Sequence, residues 1–233
     1  MTTILYRDDS YLRQCEAIVS YTAEAAIGLD RTVFYALGGG QPGDTGVISW
    51  DGGEVEIIDT RYGEAGCIDH LTAAARALPV AGTRVLAKLN WERRYLHMRM
   101  HTALHLLGSL LPYGVTGGNI STQKSRLDFD TQASIDKDEV TRELLGLVAA
   151  DKPLSCRWIT DDELRSQPEL VRTLSVQPPT GSGKIRLLEI AGTDLQPCGG
   201  THVRSTGEVG AVRISKIENK GKHNRRVNIV LDQ

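Results

Sequence analysis

The sequence predicts an α+β fold, with a small N-terminal β-barrel over residues 1–90 and an α+β domain with a mostly antiparallel sheet over residues 91–233. Three observations lead to this prediction. Short apolar runs alternate with glycine-rich turns in the first domain, a helical repeat begins near Trp91, and further strand-like runs follow the helices. Helices that precede most of the strands, without alternating with them, are typical of the α+β class.

The first domain takes its predicted strands from the apolar runs AIVSY, TVFYAL, TGVISW, EVEIID and TRVLAKL. Turns rich in glycine separate these runs, and short strands at such close spacing favour a small barrel or sandwich. One turn is the glycine-rich loop that contains Gly38, Gly39, Gly40, Gln41 and Asp44. No Gly-Lys-Ser/Thr sequence follows it, so the pattern excludes a loop that binds nucleoside triphosphates.

Helical periodicity dominates the middle of the chain. Leu104, Leu107 and Leu111 share one face of a helix predicted to begin at Trp91. A second helix is predicted over residues 137–150, because Asp136 and the glutamate three residues later have the spacing of a capping box. A shorter helical piece follows in DDELRSQPELVRTL, and the runs IRLLEI, GAVRISKI and RRVNIVL predict strands near the C-terminus.

The composition is that of an ordinary globular protein, with 40% hydrophobic and 24% charged residues. The chain has no apolar stretch of the roughly 20 residues that cross a bilayer, so we expect a cytoplasmic protein with no membrane contact. The four cysteines form no CxxC pair, which argues against a disulfide framework. We interpret Cys15, Cys67 and Cys156 as small buried hydrophobic residues, and the sequence identifies no partner protein.

Basic residues cluster near the C-terminus although the net charge is −2. Between positions 204 and 226, seven lysines and arginines stand against two glutamates. Two interpretations remain open: a pair of strands with solvated charges, or a surface that contacts phosphates and makes binding salt-sensitive. The second makes candidate RNA-binding residues of Lys216, Lys220, Lys222, Arg225 and Arg226.

Two short motifs predict a metal site when they are taken together. HTALH places His101 and His105 one turn apart on one helix face. CGGTH places Cys198 four residues before His202, and we expect the two glycines between them, Gly199 and Gly200, to supply backbone angles that turn the loop back on itself. Either motif alone is a weak signal, but three imidazoles and one thiolate are donors that Zn²⁺ prefers.

The other histidines are not assigned to this site. His97 is two turns before His105, too far along the helix axis, at about 12 Å, for one ion to bind both. We therefore interpret His97 as a residue at the rim of the site, facing RNA or solvent. His70 and His223 stand alone in the sequence and are interpreted as ordinary structural histidines.

Beyond HTALH and CGGTH, four segments carry a resemblance to a known family: FYALGGGQPGDTG, VTGGNI, RLDFD and TGEVGAVRISKIENKGKHNRRV. They resemble the editing domain shared by alanyl- and threonyl-tRNA synthetases and the small barrel that precedes it in alanyl-tRNA synthetase. The resemblance covers essentially the whole chain. It is closer to the free-standing alanyl-tRNA editing proteins of the AlaX type, in their medium-length class.

The resemblance implies a zinc-dependent hydrolase that removes a wrong amino acid from alanine-specific tRNA, chiefly serine, with glycine as a second candidate. Zn²⁺ would be held by His101, His105, Cys198 and His202. Thr116 would read the serine hydroxyl, with Gly117, Gly118 and Thr201 as further candidates for substrate binding. Two alternatives stay open: a zinc-stabilised tRNA-binding module without enzymatic activity, and a deacylase for another mischarged tRNA such as Ser-tRNA(Thr).

Overall fold

The computed structural model describes residues 1–73, 77–171, 173–174 and 183–232. Its contacts divide the chain into two compact units, Met1–Leu96 and His97–Gln233. The units contain a closed antiparallel barrel, antiparallel sheets and three α-helices among the described residues, which confirms the α+β class. The division falls inside the first helix, and the domain boundary at residue 90 stays a prediction.

The first unit is built from short strands. They are β1 (Thr3–Ile4), β2 (Gln14–Ala23), β3 (Ala26–Leu29), β4 (Arg31–Thr32), β5 (Gly46–Trp50), β6 (Gly53–Tyr62), β7 (Ile68–Thr72) and β8 (Arg84–Leu89). Six of them close a barrel in the order β2-β3-β7-β6-β5-β8, and every neighbouring pair is antiparallel. Alternate residues point inward, so that Ile27, Ile48, Ile57 and Ala87 are fully buried in the barrel core.

The run TVFYAL is not the strand that its composition predicts. Only its first residue belongs to β4, although Val33, Phe34, Tyr35 and Ala36 are all buried. Side chains and loop carbonyls take the place of a strand ladder: the Phe34 amide donates to the Thr32 hydroxyl and the Tyr35 amide donates to an Asp44 carboxylate oxygen. Apolar composition therefore indicated burial here, but not the backbone pairing.

The glycine-rich loop is a tight turn held by buried polar contacts. Gly38 and Gln41 exchange two backbone hydrogen bonds, and the residues between them, Gly39 and Gly40, both have positive φ, of 54° and 80°. Two positive φ angles are what a type I′ turn requires and what glycine adopts without strain. Beyond the turn, Asp44 accepts hydrogen bonds from the buried guanidinium of Arg94, with 2.8 Å between Nε and Oδ2.

The remaining elements begin with the first α-helix, which starts in the first unit and continues in the second. They are α1 (Trp91–Leu110), β9 (Val115–Asn119), β10 (Ser125–Asp130), α2 (Lys137–Ala149), β11 (Leu154–Ile159), α3 (Asp161–Arg165), β12 (Ile185–Ile190), β13 (Asp194–Pro197), β14 (Val212–Asn219) and β15 (Asn224–Leu231). The predicted helices at 91–111 and 137–150 are confirmed, and Asp136 caps α2 by accepting from the amides of Asp138 and Glu139.

The second unit has two antiparallel sheets. One has four strands in the order β14-β15-β10-β9, and the other has three in the order β11-β12-β13. Helix α1 contacts both: Gly108 lies against Leu127 of β10, and His105 contacts Asp194 and Gln196 of β13. Of the helices in the described part of the chain, none combines the length and apolar character that crossing a membrane requires.

Candidate metal centre

Helix α1 positions the first pair of donors. Asn90 caps the helix, since its side-chain oxygen accepts from the Arg93 amide at 3.1 Å. His101 and His105 follow at a spacing of one turn and are 7% and 8% exposed, with ring centroids 5.2 Å apart. The predicted helix therefore presents both imidazoles on its buried face.

The loop after β13 brings the second pair of donors. The Cys198 amide donates to the carbonyl of Arg186 at 3.0 Å, and the Arg186 guanidinium donates to the carbonyls of Cys198 and Gly200, each at 3.0 Å. Arg186, which sequence analysis did not identify, thus holds the loop from the neighbouring strand. The expected role of Gly199 is wrong, because its φ lies outside the left-handed region and a Cβ there would meet open space.

The four predicted donors converge on one point. The Cys198 sulfur lies 3.2 Å from His202 Nε2 and 3.6 Å from His101 Nε2. One donor atom from each of His101, His105, Cys198 and His202 lies within 4.8 Å of all the others. Tetrahedral Zn²⁺ with ordinary Zn–N and Zn–S bonds separates its donors by about 3.3–3.7 Å. The two distances to the Cys198 sulfur are close to that range and the donor types suit the ion, whereas the 4.8 Å limit for the whole set is wider.

Neighbouring polar groups set the orientation of two of the rings. His105 Nδ1 lies 2.9 Å from Asp194 Oδ2, and its N–H donates to that carboxylate, which leaves Nε2 as the donor to a metal. The Gln196 amide donates to the same carboxylate oxygen at 2.6 Å. His202 Nδ1 lies 3.2 Å from the buried hydroxyl of Thr102. These contacts direct the Nε2 atoms of both rings toward the cluster.

The electrostatics of the site favour deprotonated donors at two positions. Burial raises the pKa of Cys198, but the charges of His101, His202 and His105 outweigh it and hold that pKa well below its usual range. Burial and the neighbouring His101 lower the pKa of His202 to about 3. Burial also opposes protonation of His105, yet Cys198 and the hydrogen bond to Asp194 raise its pKa to about 10.

Asp194 and Gln196 were missed by sequence analysis, although a signal for them exists. In TDLQPC the residues at 194, 196 and 198 alternate along an extended segment, and side chains two apart on a strand share one face. A carboxylate on the same face as a predicted metal-ligating thiolate is a candidate for orienting a ligand histidine. That alternation could have identified Asp194 before any coordinates.

His97 does not lie at the surface. Its side chain is 1% exposed, so the prediction that it faces RNA or solvent is wrong. The reason is the helix face: His97 stands four residues before His101, and both lie on the buried face of α1 that His105 also shares. A lone histidine in the barrel behaves as predicted, since buried His70 contacts the Thr32 hydroxyl and donates to the Ile27 carbonyl.

The cysteines outside the cluster are less buried than predicted. Cys156 is exposed on β11, whereas Cys15 and Cys67 are half-buried. β11 is an edge strand of its sheet, so it has a neighbouring strand on one side only. The interpretation as a buried hydrophobic residue is therefore wrong for Cys156.

The candidate substrate-binding residues lie in two places. Thr201 is fully buried in the loop between Cys198 and His202. Thr116, Gly117 and Gly118 lie on β9, and the Thr116 hydroxyl donates to the Asp128 carbonyl and accepts from the Asn224 amide. Their roles in substrate binding stay predictions.

The candidate RNA-binding residues lie on and around the hairpin of β14 and β15, and several have acidic partners. Lys216 and Lys220 both pair with Glu218, and Arg226 makes two hydrogen bonds to Asp128. Arg225 donates to the carbonyl of Gln132, and Lys222 is exposed in the turn. Part of the positive charge is thus balanced internally, as the solvated-strand interpretation requires.

Comparisons with known proteins agree over the whole chain. Residues 185–228 match the model of the second additional domain of threonyl and alanyl tRNA synthetases, and residues 4–93 match that of class II (A) tRNA synthetases. The chain is 36% identical to the alanyl-tRNA editing protein AlaX-M of Methanosarcina acetivorans, with 99% of each chain covered, and 34% identical to AlaX-M of Saccharolobus solfataricus, with 97% and 98% covered. It is also 33% identical to AlaX-L of Pyrococcus horikoshii, where 97% of this chain matches 57% of that protein. The chain therefore belongs to the AlaX-type alanyl-tRNA editing proteins, and its end-to-end match with AlaX-M places it in their medium-length class.

Proposed function

We propose that the protein is a trans-editing hydrolase that deacylates mischarged tRNA(Ala), chiefly Ser-tRNA(Ala), with Gly-tRNA(Ala) as a second substrate. One observation carries the proposal: His101 and His105 of α1 and the CGGTH pair bring four metal-type donors within 4.8 Å of one another in a chain that matches AlaX-M over 99% of its length. An editing activity of this kind answers a chemical need, because a synthetase pocket rejects a close analogue only by about 100-fold. We place the protein in the cytoplasm, with tRNA as its partner.

Zn²⁺ is the proposed cofactor, held by His101, His105, Cys198 and His202. When bound, it would supply a positive charge that polarises an ester carbonyl or a water molecule. Asp194 keeps His105 in the tautomer that binds through Nε2. Four protein donors would fill a tetrahedral shell, as in structural zinc sites, so polarising a substrate would require one donor to yield its position or the ion to take a fifth ligand. The chain's own residues therefore have two tasks, to hold the ion in a buried setting and to shape the pocket around it.

Discrimination between serine and alanine requires a group that recognises one hydroxyl. We assign this role to Thr116, with Gly117, Gly118 and Thr201 shaping the pocket. The contacts to the Asp128 carbonyl and the Asn224 amide fix the Thr116 hydroxyl in one orientation, which is what selective hydrogen bonding needs. A site built to bond a substrate hydroxyl rejects the analogue without it much more strongly than an apolar pocket can.

The positive charges of the β14–β15 hairpin are proposed to contact the tRNA backbone through Lys216, Lys220, Lys222, Arg225 and Arg226. Lys222 is exposed and lies in the turn. Arg226 forms an ion pair with Asp128, and Lys216 forms one with Glu218, so these two residues contribute less net positive charge to the tRNA-binding surface. We expect a shallow salt dependence of tRNA binding, with Lys222 and Arg225 contributing most of it.

The test is a deacylation assay over a panel of charged tRNAs: Ser-tRNA(Ala), Gly-tRNA(Ala), Ala-tRNA(Ala) and Ser-tRNA(Thr). The proposal predicts hydrolysis of Ser-tRNA(Ala), sparing of Ala-tRNA(Ala), and loss of hydrolysis in His101→Ala. Binding of tRNA without turnover of any member would replace the proposal by a zinc-stabilised binding module. Equal hydrolysis of Ser-tRNA(Thr) would show that the tRNA specificity is different.

A further inference from the structure

The three-stranded sheet has one covered face and one face that carries part of the metal site. Ile159, Ile185 and Leu187 point to the covered face and pack against Leu164 and Leu170. Residues opposite one another in antiparallel strands share a face. The other face therefore carries Asp194 and Gln196 of β13, Arg186 and Leu188 of β12, and Cys156 and Trp158 of β11. We call it the metal-side face.

One row of this face leads from the metal donors to the sheet edge. The register pairs Trp158 with Arg186, and the Arg186 carbonyl accepts from the Cys198 amide. Trp158 on β11, Arg186 on β12 and Cys198, one residue after β13, thus lie side by side in one row across the sheet. At about 4.8 Å between strands, the Trp158 backbone lies about 10 Å from that of Cys198.

The edge of the row is open, whereas its centre is buried. Leu188 and Arg186 are 1% and 8% exposed, but Trp158 is 45% exposed and Cys156 is exposed beside it. Tryptophan is highly buried on average in folded proteins, so an indole left in solvent next to a candidate metal site is unusual. β11 is the outer strand of its sheet, so one edge of it has no neighbouring strand among the described residues.

Arg186 brings a buried positive charge to the same row. Its side chain hydrogen-bonds the carbonyls of Cys198 and Gly200, and its Nε, also buried, has no hydrogen-bond partner within the described ranges. No carboxylate in those ranges forms an ion pair with it. A buried guanidinium without a carboxylate is a favourable neighbour for a phosphate group.

We propose that Trp158 is the platform on which a base of the single-stranded 3′ end of the tRNA stacks, with Arg186 supplying positive charge for the adjoining phosphate. The inference rests on the proposed function, since the ester that would be cleaved is attached to the terminal ribose. A substrate ester at the four donors places the terminal nucleotides within a short distance of this row. Stacking on an aromatic side chain is how proteins commonly bind unpaired bases, because every base has a π-face.

The experiment compares Trp158→Ala and Trp158→Phe with the parent on Ser-tRNA(Ala). Loss of one stacked base is worth ~1–3 kcal/mol, so Trp158→Ala is expected to raise KM about 5- to 150-fold, with a small effect on kcat. Trp158→Phe, which keeps an aromatic ring, is expected to retain most of the affinity. Tyr62→Ala is the matched control, because Tyr62 is an aromatic residue that is 52% exposed on the barrel. An unchanged KM in Trp158→Ala would overturn the proposal.

A binding measurement separates this proposal from the proposed function. Titration of the parent with a short single-stranded RNA ending in CCA is expected to quench tryptophan fluorescence, and Trp158→Phe is expected to lose that quenching. The same RNA is expected to slow the labelling of exposed Cys156 by a maleimide. The variant Cys156→Ser serves as the control, because any labelling that it shows comes from the other cysteines. If the unsubstituted protein hydrolyses no aminoacyl-tRNA but its fluorescence is quenched by this RNA, only the proposed deacylase activity is refuted. Quenching that persists in Trp158→Phe, or unchanged labelling of Cys156, would refute the stacking platform.

Discussion

The substitution Asp194→Asn isolates the contribution of a single charge to the metal site. Asparagine keeps the size of the side chain and one acceptor oxygen, but removes the negative charge beside His105. The His105–Asp194 contact is 2.9 Å long, and the two side chains are 8% and 0% exposed, so solvent does not screen it. Losing a carboxylate that orients a ligand histidine typically weakens metal binding 10- to 100-fold, or ~1.4–2.7 kcal/mol.

The assay is a competition for Zn²⁺ between the protein and a chromophoric chelator at one pH. Asp162→Asn is the matched control, because that aspartate lies on α3 with its side chain 87% exposed and should leave the affinity unchanged. Circular dichroism of both variants checks that the fold is kept. A zinc affinity for Asp194→Asn within about twofold of the parent would refute the assigned role of this carboxylate.

Three further predictions concern the barrel unit and are each measured by urea unfolding. Gly43→Ala should destabilise by ~1–3 kcal/mol, because its Cβ would lie 2.2 Å from the Thr60 carbonyl oxygen. Arg94→Met should destabilise by ~3–5 kcal/mol, since it leaves the carboxylate of Asp44 buried without its cation. Burial lowers the pKa of His70 from 6.5 to about 4. Its contribution to stability is therefore complete above pH 6.5 and declines as the pH falls toward 4, by ~3 kcal/mol in all.

Each of these predictions has a control and a contrary result. Gly146 lies in α2, and no atom is within 4 Å of where a Cβ would be placed. Gly146→Ala should therefore stabilise the protein by ~0.5–1 kcal/mol, whereas Gly43→Ala should destabilise it. Arg31→Met removes an exposed arginine and should change stability little. His70→Gln should flatten the dependence of the free energy of unfolding on pH between pH 6.5 and 4. Equal losses of stability in Arg94→Met and Arg31→Met would contradict the argument from the buried ion pair. A pH profile of stability that is the same in the His70 variant as in the parent would contradict the argument from the His70 pKa.

The donor set could be predicted because local periodicity determines half of it. HTALH needs only helical spacing to bring His101 and His105 to one face, and the leucine repeat made that helix predictable. The proximity of CGGTH depends on tertiary structure, and donor chemistry was the only sequence signal for it. Asp194 shares the alternation of TDLQPC with Cys198, so a local pattern was available for it. The position of Arg186 depends on strand register, which no local pattern in its segment determines.

Burial was harder to predict than secondary structure. His97 is polar and lies two turns from His105, so the sequence favoured a surface position, yet packing around α1 buries it. Cys156 shows the reverse, since an edge strand leaves exposed a residue type that is usually buried. The TVFYAL run was predicted to be a strand, but Thr32 and Asp44 accept hydrogen bonds from two of its amides in place of a strand partner.

The most direct test of the account measures bound zinc and the initial rate of Ser-tRNA(Ala) hydrolysis in one sample. Both are determined on the protein as purified, after removal of the metal with a chelator, and after zinc is returned. The account predicts about one zinc ion per chain, a rate that falls as the metal is removed, and recovery of both together. Metal-free protein that hydrolyses Ser-tRNA(Ala) at the original rate would contradict it.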